Sequence, residues 1–263
     1  MHTLTAGRRL ALILALGVGC HSTRAVTPTA TVGERTLAAM RAAYANSWYH
    51  TLTFRQRTTI YPPSGEPRIE QWYESLAQFD GRTVLRIDRG SPREGNGILY
   101  TADSMWVIRN GTLAAQRASG NEFLPLIEGV YVQPVAQTAA ELRREGFDLT
   151  KGYERSWNGM RVAVIGATTA ADSTAAQFWV DRDRNLLVRM VIALTPTQTF
   201  DVRLERYERA GGAWLATHVE LFSGGRPAQM EDYSDWHVDP PLSAALFDVN
   251  HWTSAPHWAE KGT

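Results

Sequence analysis

Residues 177–194, QFWVDRDRNLLVRMVIAL, constrain the fold more than any other stretch, because they read as a β-hairpin whose arms are apolar in both phases. One arm sets Phe178 and Val180 against Gln177, Trp179 and Asp181. The other sets Leu186, Val188, Met190 and Ile192 against Leu187, Arg189 and Val191, a period of two and not the helical one. Between them Asp181, Arg182, Asp183, Arg184 and Asn185 form a charged turn that belongs at a sheet rim. Large apolar residues in both phases require a core on one face and a second apolar layer on the other. A strongly curved sheet holding a lid or a hydrophobic ligand meets that requirement, and so do the inner strands of a two-layer sandwich.

The rest of the chain extends this pattern. Thr31 followed by Glu34 is a capping box that opens a helix through Leu37, Met40, Ala43 and Tyr44. A first strand over residues 48–61 ends at Pro62, Pro63, Ser64 and Gly65. Hairpins then follow at Asp80-Gly81, at Ala102-Asp103-Ser104 and at Asn110-Gly111, later at Asn158-Gly159, and last at Gly211-Gly212 and Gly224-Gly225. Strands joined by such tight turns are antiparallel neighbours, so the fold is a meander of about a dozen strands. Charge in both phases of residues 200–208 marks that strand as an edge. One interruption, residues 122–146, carries Phe123, Leu124, Leu126, Ile127 and Val130, then a polar helix that Gly146 stops. This insertion is read as helices covering an opening in the sheet, or plugging its end. Asp239, Pro240, Pro241 and Leu242 start a short turn or helix through Leu246 and Phe247. With 263 residues and strand signals spread evenly, the chain makes one large domain.

Arg8 and Arg9 precede the apolar run 10–18, which is shorter than the roughly 20 residues a stable membrane anchor needs, so residues 1–19 read as a cleaved signal peptide. The only cysteine, Cys20, follows it, after Leu16, Gly17, Val18 and Gly19, and this segment resembles the lipobox of bacterial lipoproteins, with Gly17 where that pattern prefers leucine. A lipidated Cys20 would tie the protein to a membrane through its N-terminus, with residues 20–31 as a flexible tether. Lys plus Arg equals Asp plus Glu at 27 each, and loss of Arg8 and Arg9 leaves 25 basic against 27 acidic residues. That balance argues against nucleic acid as a partner. A single cysteine permits no intrachain disulfide, so stability rests on the core.

A helix, a long antiparallel meander broken by a helical insertion, and an export signal together resemble the lipoprotein carrier superfamily of LolA and LolB. Residue by residue, Phe178-Trp179-Val180-Asp181 with Asn185-Leu186-Leu187-Val188-Arg189 is similar to that family's hairpin, and residues 239–247, DPPLSAALF, to its closing segment. The resemblance implies a mainly β fold with a helical lid: a single antiparallel meander forming an eleven-stranded, incompletely closed, strongly curved β-barrel covered by helices. It places this domain at residues 32–250, with the helical insertion at about 122–146 and a C-terminal tail at 251–263. It also implies a cavity for acyl chains. Relatives on this fold bind other lipids, sense envelope stress or, in one case, act on a small molecule. Strand phases assign Phe54, Leu76, Leu85, Leu99, Trp106, Phe178, Val180, Val188 and Met190 to the cavity lining and Phe123, Leu126, Ile127 and Val130 to the lid. A slip of one residue in any strand would exchange its lining set.

Catalytic and metal-binding motifs are missing from the sequence: GxSxG, HExxH, Walker and paired-cysteine patterns do not occur. His251 and His257 have no acidic or cysteine partner at ligand spacing, so the expectation is no metal and no cofactor, with Trp252 and Trp258 packing the tail onto the domain or sitting near a membrane interface. The acidic pairs Glu231-Asp232 and Asp181-Asp183 read as solvated. The expected function is a monomeric, non-catalytic envelope lipoprotein on the periplasmic side, anchored at the outer membrane, with a lipid or acylated protein as partner. Two other readings stay open: a sensor that holds a polypeptide in a shallow open groove, and an enzyme acting on a small hydrophobic molecule, which needs titratable groups converging inside the cavity.

Overall fold

The computed structural model describes residues 29–79 and 81–260. The signal segment, Cys20, most of the tether, Asp80 and the last three residues lie outside the described residues.

Helix α1 (Val32–Tyr44) begins where the capping box predicts: the Glu34 amide donates to Thr31 Oγ1 at 3.2 Å and the Thr31 amide donates back to Glu34 Oε2 at 2.8 Å. Glu34 also accepts from Arg143 at 2.7 Å, and this bond, with those from Thr31, holds its carboxyl at a pKa of about 2. The cap thus joins α1 to the insertion helix α3 (Val135–Arg144). Thr31→Ala is expected to lower stability by about 1 kcal/mol, read as a lower urea midpoint at unchanged slope.

Strands β1 (Thr51–Ile60), β2 (Arg68–Phe79), β3 (Arg82–Arg89), β4 (Gly97–Tyr100), β5 (Met105–Arg109) and β6 (Thr112–Arg117) step outward, each beside the last. Strands β7 (Gly152–Trp157), β8 (Met160–Ile165), β9 (Gln177–Asp181), β10 (Leu186–Thr195), β11 (Gln198–Ala210), β12 (Ala213–Ser223) and β13 (Arg226–Val238) step back, until β13 pairs with β1. All pairings are antiparallel, and the sheet has thirteen strands among the described residues, against the eleven the family resemblance implies. It does not close: β6 and β7 remain as free edges. The insertion joins those two edges, so it must cross the width of the curved sheet, and this geometry makes it a cover. It contains a π-turn at Pro125–Gly129, a short helix α2 (Val130–Val132) and α3. Gly146, at φ +90°, ends α3 with two backbone bonds, Phe147 to Leu142 at 3.0 Å and Gly146 to Arg143 at 3.2 Å.

The hairpin turns form where expected, with Asn110 and Gly111 at φ 48° and 73°. The expectation of an edge at residues 200–208 is corrected: β11 lies inside the sheet between β10 and β12. Arg206 is at φ 50°, and the charges of β11 are paired: Asp201 with Arg189 of β10 at 2.7 Å and with Arg203 of its own strand at 3.1 Å, and Arg203 with Glu220 of β12 at 3.9 Å. The edge strand β6 is exposed at all six residues.

The two-faced apolar hairpin also forms. Phe178, Val180 and Met190 join the main core, while Trp179 and Val188 join Val162 and Val164 in a cluster on the opposite face. Guanidinium groups of Arg189 and Arg155 lie 4.5 and 5.2 Å from the Trp179 ring and cover that second cluster. Asp181, read above as solvated, is buried instead, because it accepts from Arg184 at 2.6 Å and from the Asp183 amide at 2.9 Å to close the turn.

After β13 the chain folds back over the outer face of β2–β5. Trp252 is buried against Leu99 and Ile108, and Trp258 donates to Ser75 Oγ at 2.8 Å, so both tryptophans pack the tail onto the domain. A Cβ at Gly97 would stand 2.6 Å from the Trp252 ring, so the strand approaches closely enough only as glycine. Beneath the tail, Arg86, Asp88 and His257 form a buried cluster: Arg86 donates twice to Asp88, both at 2.7 Å, and His257 Nε2 lies 3.1 Å from Asp88 Oδ2.

Candidate functional site

Between the insertion and the inner face of the sheet lies a cavity with two connected lobes of about 80 and 260 Å³. Glu74, Leu85, Ile127, Leu187, Leu204, Val219 and Tyr233 border both lobes. The smaller lobe runs under Trp48, Tyr49, Leu124, Glu128 and Tyr131, and the larger under Asn121 and Phe123, with Trp72, Tyr100, Gln229 and Glu231 in its wall. The cover is held by aromatic contacts: Tyr131 stacks on Trp48 at 3.7 Å and Phe123 on Phe200 at 6.0 Å.

Phe54, Leu76, Leu85 and Met190 reach this cavity from the sheet. Phe178 and Val180 point to the same side but sit deeper, fully buried, with Phe178 edge-on to Phe147 at 5.9 Å. Leu99, Trp106 and Val188 are on the opposite face, which corrects their assignment to the lining. For Val188 the cause is a bulge between Leu187 and Arg189, whose extra residue shifts the phase and turns Leu187 inward. For Leu99 and Trp106 the apolar residues in the other phase, Ile98 and Tyr100, take the cavity, and Leu99 and Trp106 pack under the tail. Among the lid residues, Phe123 and Ile127 line the cavity, whereas Leu126 and Val130 are buried in the core without bordering it. The lining stripe is Leu124, Ile127, Glu128 and Tyr131, one residue along from the other apolar stripe, and an insertion apolar on both stripes is buried on both sides.

Three carboxyl groups stand in the wall that the sequence did not assign to it. Glu128 accepts from Tyr49 Oη at 2.6 Å and Trp48 Nε1 at 2.8 Å, fastening the lid to the segment before β1. Burial raises its pKa to about 7, against the opposing pull of those two bonds. Glu231 faces the larger lobe and accepts from Tyr233 Oη and Gln229, so the reading of this residue as solvated is also corrected. Glu74 is 8 % exposed, borders both lobes and makes no hydrogen bond among the described residues. Burial raises both carboxyls, and for Glu74 the nearby Glu231 adds to the effect. No lysine, arginine or histidine among the described residues lines either lobe. The available signal was a charge in an apolar phase: Glu74 shares its phase with Trp72 and Leu76, and Glu231 with Tyr233.

Neither a family model nor a curated protein sequence matches the chain. Solved structures do. A DUF1329 family protein from Desulfovibrio piger aligns at TM-score 0.55 and 17 % identity, over 84 % of this chain and 98 % of its own. A candidate outer membrane lipoprotein-sorting protein domain from Vibrio parahaemolyticus aligns at TM-score 0.56 and 12 % identity, over the same shares. A LolA superfamily protein from Nitrosomonas europaea aligns at TM-score 0.50 and 11 % identity, over 83 % and 98 %. The chain has a LolA-like fold. In this LolA-like chain the cavity combines an apolar wall with acids that no base faces.

Proposed function

We propose that the protein is a non-catalytic lipoprotein of the bacterial cell envelope that holds an acyl chain, lipid or lipoprotein in the lidded cavity. It would serve lipid or lipoprotein transport or sorting from a Cys20 anchor at the outer membrane. The observation that carries this reading is the mostly apolar space that the insertion covers against the curved sheet. Each methylene buried there contributes about 0.8 kcal/mol, so even a short chain gains several kcal/mol on entry. Such a cover favours a chain-like ligand over a polypeptide, which needs an open groove. A volume of about 260 Å³ lies just below the usual range of ligand sites, about 300–1,000 Å³, so larger cargo requires the lid to move.

Native mass spectrometry of the gently purified protein, followed by organic extraction, is expected to show a stoichiometric lipid or acyl species. Ile127→Asp, which places a charge in the lid at both lobes, is expected to weaken a fluorescent acyl probe at least tenfold, about 1.4 kcal/mol. Trp106→Asp, on the opposite face, leaves probe binding unchanged. An empty protein that takes up no probe overturns the proposal. The enzyme reading is favoured by one observation, the convergence of Glu74, Glu231 and Tyr233 on the cavity. Recovery of the extracted ligand chemically altered after incubation with fresh protein decides for it, and recovery unchanged decides for the carrier.

A further inference from the structure

The polar part of the cavity is one-sided. Glu74 has two carboxyl oxygens aimed into the junction of the lobes and no donor for either. Glu231, on the far side of β1, already accepts from Tyr233 Oη and Gln229 Nε2. Gln56, on β1 between the two acids, keeps a buried amide oxygen without a donor. Glu74 and Gln56 Oε1 thus lack donors beside a space with no basic side chain among the described residues, and an unpaired buried acceptor costs about 1–3 kcal/mol. The missing component is therefore a donor, and two neighbouring acids favour one that carries positive charge. An ammonium group supplies three donors and a full charge. The rings of Phe54, Tyr100 and Tyr233 line the same region and suit a cation at their faces.

We propose that the cavity selects a hydrophobic ligand bearing a cationic primary or secondary amine, with the ammonium between Glu74 and Glu231 and the apolar body filling the lobes. This inference rests on the cavity reading above and names the polar end of the ligand. Fatty acids and phosphate-bearing lipids are disfavoured by the same acids, because like charges in a poorly solvated space repel strongly. Burial raises the carboxyls of Glu74 and Glu231 above their ordinary range, and an ammonium between them favours the charged form and lowers both again.

Isothermal titration of the protein at pH 8 with n-decylamine, n-decanol and decanoate, each below its aggregation limit, tests this. The expected result is decylamine at least tenfold tighter than decanol, and decanoate weaker than both. Glu74→Gln is expected to weaken decylamine at least tenfold and to move decanol less than twofold. Should that variant fail to fold, the ranking of the probes by the unaltered protein still decides. Decanol binding as tightly as decylamine overturns the amine inference and leaves the cavity reading standing. Binding of none of the three probes overturns both.

Discussion

Replacing Asp88 by alanine is expected to lower the stability of the domain by about 3–5 kcal/mol, the usual penalty for leaving a buried charge without its partner. Arg86 and Asp88 are 1 % and 0 % exposed, and their side chains meet through two bonds at 2.7 Å. The remaining donors of Arg86 reach the carbonyls of Leu246 and Trp252 at 2.8 and 2.9 Å, and its guanidinium lies 3.8 Å from the Trp252 ring. One cation thus holds the returning tail at two backbone points and one ring. Without Asp88 the guanidinium has no counter-charge, and His257 loses its partner as well. The tail then separates from the sheet so that Arg86 can reach water, exposing Leu99, Ile108 and Trp252. Urea unfolding followed by tryptophan fluorescence measures the loss, and limited proteolysis after β13 locates it. The double variant Arg86→Met with Asp88→Leu is expected to recover part of the stability and not all, because the carbonyls of Leu246 and Trp252 stay without donors. A loss below about 1 kcal/mol in Asp88→Ala, the range of an exposed pair, would show that the cluster is not a clasp.

The same cluster shows where sequence reading stops. Arg86 and Asp88 stand two apart on a strand whose other phase, Leu85 and Ile87, faces the cavity, and two charges at that spacing read as a solvated face. Only a tail arriving from about 160 residues away buries them, and nothing local announces it. Features written in neighbouring residues were legible: the Thr31–Glu34 box, the Asn-Gly turns, the meander, and the insertion stopped by Gly146. The two-faced hairpin was legible too, with Phe178, Val180 and Met190 inward as expected, but Val188 was not, since the bulge there turns Leu187 inward and a bulge leaves no compositional trace. In β4 both phases are apolar, so alternation could not say whether Leu99 or Ile98 faces the cavity. The acids were hidden for a related reason. Glu74 stands in the apolar phase of Trp72 and Leu76, but only register shows that this phase borders the lobes.

Stability is expected to be greatest near pH 5 and to fall as pH rises toward 8, the reverse of a protein held by ion pairs alone. The cause is Glu128. Its folded pKa, about 7, lies above its ordinary 4.5, so between those values the folded state binds more protons than the unfolded one. Stability therefore falls with rising pH across that window, and the difference corresponds to about 3 kcal/mol at about 1.4 kcal/mol per unit. Glu145, also raised to about 7 by burial, and Glu74 and Glu231 act in the same direction. Below pH 4.5 the sign reverses, because Glu34, held near 2 by Arg143 and Thr31, and Asp148, lowered by Thr150, lose their bonds as they take up protons. The groups facing Glu128 are Trp48, Tyr49, Tyr131 and Tyr207, all neutral, so no cation compensates its charge once it ionises. Ionised, it is better solvated outside the closed lid than inside, and the latch between insertion and body weakens. Thermal unfolding from pH 5 to 8 is expected to show a falling midpoint, flattened in Glu128→Gln. Hydrogen exchange over residues 124–131 is expected to speed up between pH 6 and 8 beyond its intrinsic pH dependence in the unaltered protein only. A midpoint that rises from pH 5 to 8, or a Glu128→Gln protein with the same slope, would mean the lid is not latched by this carboxyl. A lid that loosens as one buried proton leaves would couple ligand entry to pH without any further moving part.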